Sequence, residues 1–292
     1  MVHCYILCWN EEKMIRHTLN HYSMFCSQIT VLDNHSTDAT CEIIRKEFPQ
    51  VIIQKFDTGG QVRDDIYLDL KNNCWKASRG KADWVVVCDA DEFLFHHDIK
   101  KELQIRKENK ETLPVIQGFN MVHHEFPTDY KRPLYEQVQT GIRAFNFDKQ
   151  ILFDPNETIE INYQPGAHDC RPTIKTAHVV DPHPLNLLHF KYMGREHLYE
   201  RHRLYASRIS RFNQKNGFGA EYTFGKKHVD ECFDLFEKDP QFKPYNIIDP
   251  EKETLEQTMQ KIYGPPVDIK QIEEHRRIQK MNEEKAKNEG GE

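Results

Sequence analysis

The sequence predicts an α/β fold, a mostly parallel sheet flanked by helices, and three observations predict it. Short apolar runs recur through the first 92 residues, apolar residues at helical spacing fill the intervals between them, and polar clusters stand where the runs end. That alternation of strand and helix is the signature of parallel strands joined by helical crossovers.

Each element follows in order. Tyr5-Ile6-Leu7-Cys8 forms the first strand, and Ile15, Leu19 and Tyr22 give the first helix its stripe. Ile29-Thr30-Val31-Leu32 is the second strand, followed by a helix carrying Cys41, Ile44 and Phe48. Val51-Ile52-Ile53 is the third, then Gly59-Gly60 and a helix with Ile66, Leu70 and Cys74 in line. Trp84-Val85-Val86-Val87-Cys88 is the fourth, bounded by Lys81-Ala82-Asp83 before it and acids after it. In open α/β sheets ligands bind outside the carboxyl ends of the strands, so Asn10-Glu11, Asp33-Asn34, Gly59-Gly60 and Asp89-Asp91 face one cleft.

Asp89-Ala90-Asp91 is the most informative of these clusters. Two carboxylates at a strand end make a hard-oxygen site, suited to Mg²⁺ or Mn²⁺ shared with the phosphates of a nucleotide. Acids also end strands without any further role, and a lone Asp-x-Asp is a short pattern. Within Asp33 to Asp38, Ser36 or Asp38 equally suits an ordinary helix N-cap. The glycines at 59 and 60 lack the Gly-Lys-Ser/Thr of a P-loop and the fuller glycine pattern of a dinucleotide fold.

Taken in order, Trp9-Asn10-Glu11-Glu12, Asp33-Asn34-His35-Ser36-Thr37-Asp38-Ala39-Thr40, Gly59-Gly60 with Arg63, and Asp89-Ala90-Asp91-Glu92-Phe93-Leu94 resemble the motifs of a family-2-type glycosyltransferase with the GT-A fold. The similar branch is the one whose metal motif reads Asp-Ala-Asp-Glu-Phe. The resemblance covers residues 1 to 95, loosens through 115 to 225, where Leu187-Leu188-His189-Phe190-Lys191-Tyr192 carries it, and stops before the tail. It implies a GT-A-like, Rossmann-like sheet with a nucleotide-sugar-binding half at 1–114 and a mixed-sheet acceptor half at 115–249; composition, mostly Glu, Lys, Gln and Arg, reads 250–292 as a charged helical or disordered tail.

The same resemblance implies roles residue by residue. Trp9, Asn10, Glu11, Asp33 and Asn34 hold the base and ribose of a nucleotide-sugar donor, with Gly60, Arg63, Asp89 and Ala90 completing the donor site. Asp64 follows Arg63 where the family often has Asn. Asp89 and Asp91 bind Mn²⁺ or Mg²⁺, with His189, or second His168, completing the metal shell. Transfer with inversion needs a carboxylate to take the acceptor's proton, a role for Asp169, with Glu125 in reserve. Glu92 orients a ligand or the donor sugar, or is a helix-start acid.

Those roles make the expected activity a metal-dependent transfer of a sugar from a nucleotide diphosphate, in the UDP class, to a hydroxyl on a glycan or related acceptor. Two alternatives share the sheet. A sugar-phosphate nucleotidyltransferase would carry a Gly-rich, Arg-containing loop after the first strand, where Trp9-Asn10-Glu11-Glu12 stands; a non-catalytic sugar-binding or scaffold protein would not need both Asp89 and Asp91.

In the later chain, Val115 to Phe119 reads as a strand followed by Asn120 to Glu125, and Ile159 to Tyr163 as an alternating stretch before Gly166 to Asp169. From Gly194 to Phe218 one helix is expected, striped by Leu198, Tyr205, Ile209 and Phe212 and bearing Arg201, Arg208 and Arg211, which can neutralise a diphosphate or form a solvated face. Asn216-Gly217-Phe218-Gly219 reads as a loop able to close over the donor.

Composition bounds the rest. The 292 residues suffice for one large α/β domain, and 38% hydrophobic with 29% charged content fits a globular, water-facing chain. A net charge of −6 argues against non-specific nucleic-acid binding. The sequence offers no transmembrane window, and the first strand close to Met1 leaves no room for a signal peptide. The 8 cysteines lack Cys-x-x-Cys spacing and read as reduced core residues, which together give a cytoplasmic expectation. Oligomeric state has no signature in the sequence.

Overall fold

The computed structural model describes residues 1–176, 181 and 183–248. The expected charged tail lies outside the described residues. The first half runs β1 (Val2–Cys8), α1 (Ile15–Ser23), β2 (Gln28–Asp33), α2 (Thr40–Glu47), β3 (Ile52–Lys55), α3 (Asp64–Asn73) and β4 (Trp84–Asp89), the alternation expected. It continues with β5 (Glu92–Phe95), α4 (Ile99–Glu108), β6 (Ile116–His123), α5 (Leu134–Gln137), β7 (Thr140–Arg143), β8 (Leu152–Phe153), β9 (Thr158–Glu160) and β10 (Thr173–Ile174). The last elements are β11 (Leu185–Met193), α6 (Arg195–Ala206), α7 (Arg211–Asn216), α8 (Gly225–Lys238) and β12 (Tyr245–Asn246).

Two sheets form the frame of this mixed α/β fold. The first has the order β3-β2-β1-β4-β8, parallel except for β8, and the second the order β12-β7-β6-β11-β5, with mixed pairing. The two halves exchange strands: β5 from before residue 114 joins the second sheet, and β8 from after it edges the first. A strand buried on both faces reads as a continuous apolar run, which is why β1 and β4 stand out in the sequence. Ile6, Val85, Val86 and Cys88 are fully buried. On one side Ile15, Leu19 and Tyr22 of α1 and Ile44 of α2 pack against them; on the other lie Trp75, Phe153 and Tyr163.

Register then sets the site. In the first sheet Cys8 pairs with Asp33 and Leu7 with Asp89, so the ends of β1, β2 and β4 stand side by side. In the second sheet His189 of β11 is level with Asn120 of β6 and Glu92 of β5, putting three polar side chains in one row. Phe190 N–H donates to Asp91 O at 2.8 Å and stitches β11 to the turn after β4.

Some expectations needed correction. β6 runs on to His123, so Asn120 sits within the strand instead of after it. Glu92 begins a strand and no helix. The helix expected from Gly194 to Phe218 is two, because Ser210 caps α7 by accepting Asn213 N–H at 3.1 Å, and Ile209 bridges to Val62. The supposed stripe therefore breaks, with Phe212 on the surface. Neither Ser36 nor Asp38 is the N-cap of α2: Ser36 Oγ accepts Asn10 N–H, and Asp38 Oδ2 accepts Glu12 N–H, so both brace the loop after β1.

Cys4, Cys8, Cys41 and Cys88 are free thiols in the buried core. Among the described residues no helix is long and apolar enough to cross a membrane.

Candidate active site at the strand ends

A cleft of about 510 Å³ opens where the two sheets meet. Trp9 and Glu11 from the loop after β1, Asn34 after β2, Asp89, Ala90 and Asp91 after β4, Glu92 from β5 and His189 from β11 all line it. His168 lines it too, from a short 3₁₀ turn at Pro165–Ala167. The sequence brings most of its candidates together there.

Asp91 is the hub. Its Oδ2 lies 3.6 Å from His189 Nε2 and 3.4 Å from Arg201 Nη2. Burial raises the Asp91 pKa, but His189, Arg201 and Lys149 outweigh it and hold the carboxyl below the usual range. His189 is fixed from behind: its Nδ1 donates to Asn120 Oδ1 at 2.8 Å, and its ring stacks on Phe147 with centroids 4.0 Å apart. That hydrogen bond leaves Nε2 as the nitrogen facing Asp91.

Phe147 reaches the cleft because residue 118 has no side chain. A Cβ on Gly118 would stand 2.3 Å from Phe147 O, so only glycine lets the two backbones lie this close.

Sequence reasoning missed two buried lysines. Lys71 Nζ meets Asp89 Oδ1 at 2.8 Å, and Lys149 Nζ meets Glu92 Oε1 at 2.5 Å while lying 4.0 Å from Asp89. Burial lowers the Lys71 pKa, but Asp89 and Glu92 reverse the direction and keep the ammonium charged. Glu92 also accepts Asp89 N–H through Oε2 at 3.0 Å, so it orients the turn that carries the acids. Lys71 had one available signal, its place on the face of α3 that also carries Asp64 and Leu68 toward the cleft. Lys149 had none.

Arg201, expected on a helix of uncertain facing, enters the cleft and donates from Nη1 to Glu11 Oε2 at 2.7 Å. Burial outweighs that cation and pushes the Glu11 pKa up to about 7. Arg208 lies with Cζ 3.3 Å from the centre of the Trp9 ring, and its Nε donates to Gly60 O at 2.8 Å.

Other candidates go elsewhere. Asp33 is fully buried, ion-paired with Lys55 and accepting Ser36 N–H, so its carboxylate braces the fold beside the cleft. Asn10, in the left-handed region at φ 52°, accepts Thr37 N–H at 2.7 Å and ties two loops together. Arg63 forms a two-bond pair with Asp65 and does not line the cleft, and Gly60 contributes only its carbonyl to Arg208. Asp169 is exposed, accepting its neighbour's Cys170 N–H, and Glu125 is exposed on the loop after β6; both lie outside the cleft lining.

The four expected metal ligands, Asp89, Asp91, His168 and His189, all line the cleft. Among the described residues no group of three or more His, Cys, Asp or Glu side chains is arranged to hold a metal ion. Asp89 is engaged by Lys71, and His168 Nδ1 donates to Asn146 O at 2.7 Å. Asp91 with His189 Nε2 makes a two-donor partial shell, which fits a Mn²⁺ or Mg²⁺ that takes its other oxygens from a diphosphate and water.

No family model matches the sequence. Two curated relatives, the SPbeta prophage-derived glycosyltransferase SunS of Bacillus subtilis (strain 168) and the glycosyltransferase SunS of Bacillus phage SPbeta, are each 32% identical over 158 residues, 51% of this chain and 32% of theirs. The chain thus spans about a third of the length of the curated relatives it matches. Among solved structures, S. aureus TarS 1–349 aligns with 82% of this chain and 75% of its own at 13% identity and a TM-score of 0.40. Glucosyl-3-phosphoglycerate synthase from Mycobacterium tuberculosis, in complex with Mn²⁺, uridine diphosphate and glucosyl-3-phosphoglycerate, aligns with 41% of this chain and 44% of its own at 17% identity and a TM-score of 0.30. At such TM-scores neither likeness bears on function.

Proposed function

We propose that this protein is a glycosyltransferase that moves a sugar from a nucleoside diphosphate donor of the UDP class to a hydroxyl of a glycan or related acceptor, with inversion. One observation carries the proposal: Asp89 and Asp91 end β4 in a cleft where Arg201, Lys71, Lys149 and His189 converge on them. Half of the chain's length shares 32% identity with curated glycosyltransferases, which supports the same reading.

The residues divide the work. Trp9 and Asn34 lie at the ends of β1 and β2 and take the nucleoside. Arg201 and Lys149 present fixed positive charge where the diphosphate departs, and such preorganised charge in a partly enclosed site stabilises the leaving group more than water does. Glu92 holds the Asp89 turn in place through the backbone. Asp91 and His189 would hold a Mn²⁺ or Mg²⁺, which supplies further charge neutralisation to the diphosphate when bound.

Thermal melts and hydrolysis assays against a panel of nucleotide sugars, with Mn²⁺ and with chelator, test this. We expect one nucleotide class to raise the melting temperature by mass action, and Asp91→Ala to abolish the metal-dependent part of that shift. Failure of every nucleotide sugar to bind the parental protein rejects the reading. Equal binding in chelator rejects the metal assignment alone.

A further inference from the structure

Six carboxylates line the cleft, Glu11, Asp64, Asp89, Asp91, Glu92 and Glu221, and five of them are ion-paired. Glu11 is held by Arg201, Asp89 by Lys71, Asp91 by Arg201 and His189, Glu92 by Lys149 and Glu221 by Lys191. Asp64 has no ion pair among the described residues. Its neighbour in space, Lys71, is spent on Asp89.

Asp64 is nevertheless held firmly. Its Oδ2 accepts Asn213 Nδ2–H at 3.1 Å, and its backbone N–H donates to Asn213 Oδ1 at 3.1 Å, a reciprocal pair across 149 residues of chain. Asn213 itself is fully buried, with Ser210 Oγ donating to its Oδ1 and accepting its backbone N–H. The clamp uses one carboxylate oxygen and leaves Oδ1 without a protein donor among the described residues, in a side chain that lines the cleft. Burial raises the Asp64 pKa, more than Lys71 lowers it. The other carboxylates of this cleft are neutralised by cations; this one is oriented instead, and an oriented acceptor with a spare oxygen matches a neutral hydroxyl better than a metal or a second charge.

We propose that Asp64 is the cleft carboxylate that accepts a hydrogen bond from a hydroxyl of the substrate. The inference rests on the nucleotide-sugar reading above and deepens it. The hydroxyl has two sources, the transferred sugar on the donor or the acceptor, and the Asp64→Asn variant separates them. Asn preserves shape and removes the charge that strengthens the hydrogen bond.

The experiment is calorimetric titration of the full chain with UDP and with UDP-sugars, alongside hydrolysis of the bound UDP-sugar with water standing in as acceptor. A parental protein that binds no UDP or UDP-sugar overturns the underlying function, not the role of Asp64 within it. Given parental binding, a donor-sugar hydroxyl predicts that Asp64→Asn keeps UDP affinity and loses about 10- to 100-fold in UDP-sugar affinity. An acceptor hydroxyl predicts unchanged affinity for both and hydrolysis slowed by about 10- to 100-fold, with Asn213→Ala reproducing the direction of the change. Unchanged UDP-sugar affinity together with an unchanged hydrolysis rate overturns the inference. Should Asp64→Asn fail to fold, Asp64→Glu, which keeps the charge and shifts it by one methylene, is read by the same two measurements.

Discussion

Arg201 on α6 reaches Glu11 across 190 residues of chain, donating from Nη1 to Oε2 at 2.7 Å, and its other terminal nitrogen lies 3.4 Å from Asp91 Oδ2. One guanidinium thus joins the loop after β1, the turn after β4 and the helix that walls the cleft. Two nearly buried carboxylates depend on it, so it fixes their positions while neutralising them.

Arg201→Ala should leave Glu11 and Asp91 without that partner. Removing one member of a buried ion pair costs up to about 3 to 5 kcal/mol where the remaining charge stays desolvated, and Glu11, already pushed up to about 7, relieves its share by taking up a proton. A lower urea midpoint with an unchanged m-value is the expected result. Parental stability in the variant would show that water reaches both acids freely.

Asp33→Ala should weaken the fold, not only ligand binding, since Asp33 is fully buried and braces Ser36 N–H and Lys55. Lys55 is more than a third exposed, so the ion pair is screened by water and the lysine can return to solvent. The expected loss is about 1 to 2 kcal/mol, chiefly from the lost backbone hydrogen bond. Denaturant unfolding of the ligand-free variant measures it; an unchanged midpoint would reassign Asp33 to the ligand.

Acid should destabilise the protein through His21. Burial outweighs the hydrogen bond to Leu94 O and lowers its pKa from 6.5 to about 4, so the folded ring stays neutral while the unfolded one binds a proton. The unfolded state therefore binds more protons between these values, and stability rises with pH from about 4 to 6.5 and is level above. The shift corresponds to a loss on the order of 3 kcal/mol between neutral pH and pH 4. Burial lowers His202 in the same direction, so the measurement is the difference in slope between the parental chain and His21→Leu. Parallel slopes would show that His21 does not titrate differently on folding.

The sheet that carries the cleft was legible because parallel strands buried on both faces leave apolar runs that nothing else in a polar chain resembles. Val85 to Cys88 located β4, and with it the acids at its end. What surrounds those acids was not legible. Lys71 and Lys149 sit in ordinary charged stretches, and only the fold brings them onto Asp89 and Glu92. Asp169 and Glu125 fall outside the cleft lining for the converse reason: a carboxylate in a loop looks the same in sequence whether it faces a cleft or the solvent, and these two are exposed. The single helix expected after Gly194 is two, since α6 ends at Ala206 and Ser210 begins α7 as its N-cap.

Gly118 gives the site a dependence that no list of its lining residues would contain. Its missing methyl admits the Phe147 backbone, and Phe147 is the surface on which the His189 ring rests. An alanine at 118 touches no ligand and alters no charge, yet it would tilt the imidazole by way of the phenyl beneath it. The cleft therefore depends on a strand interior as well as on its walls, and a change that conserves every polar residue can still displace one of them.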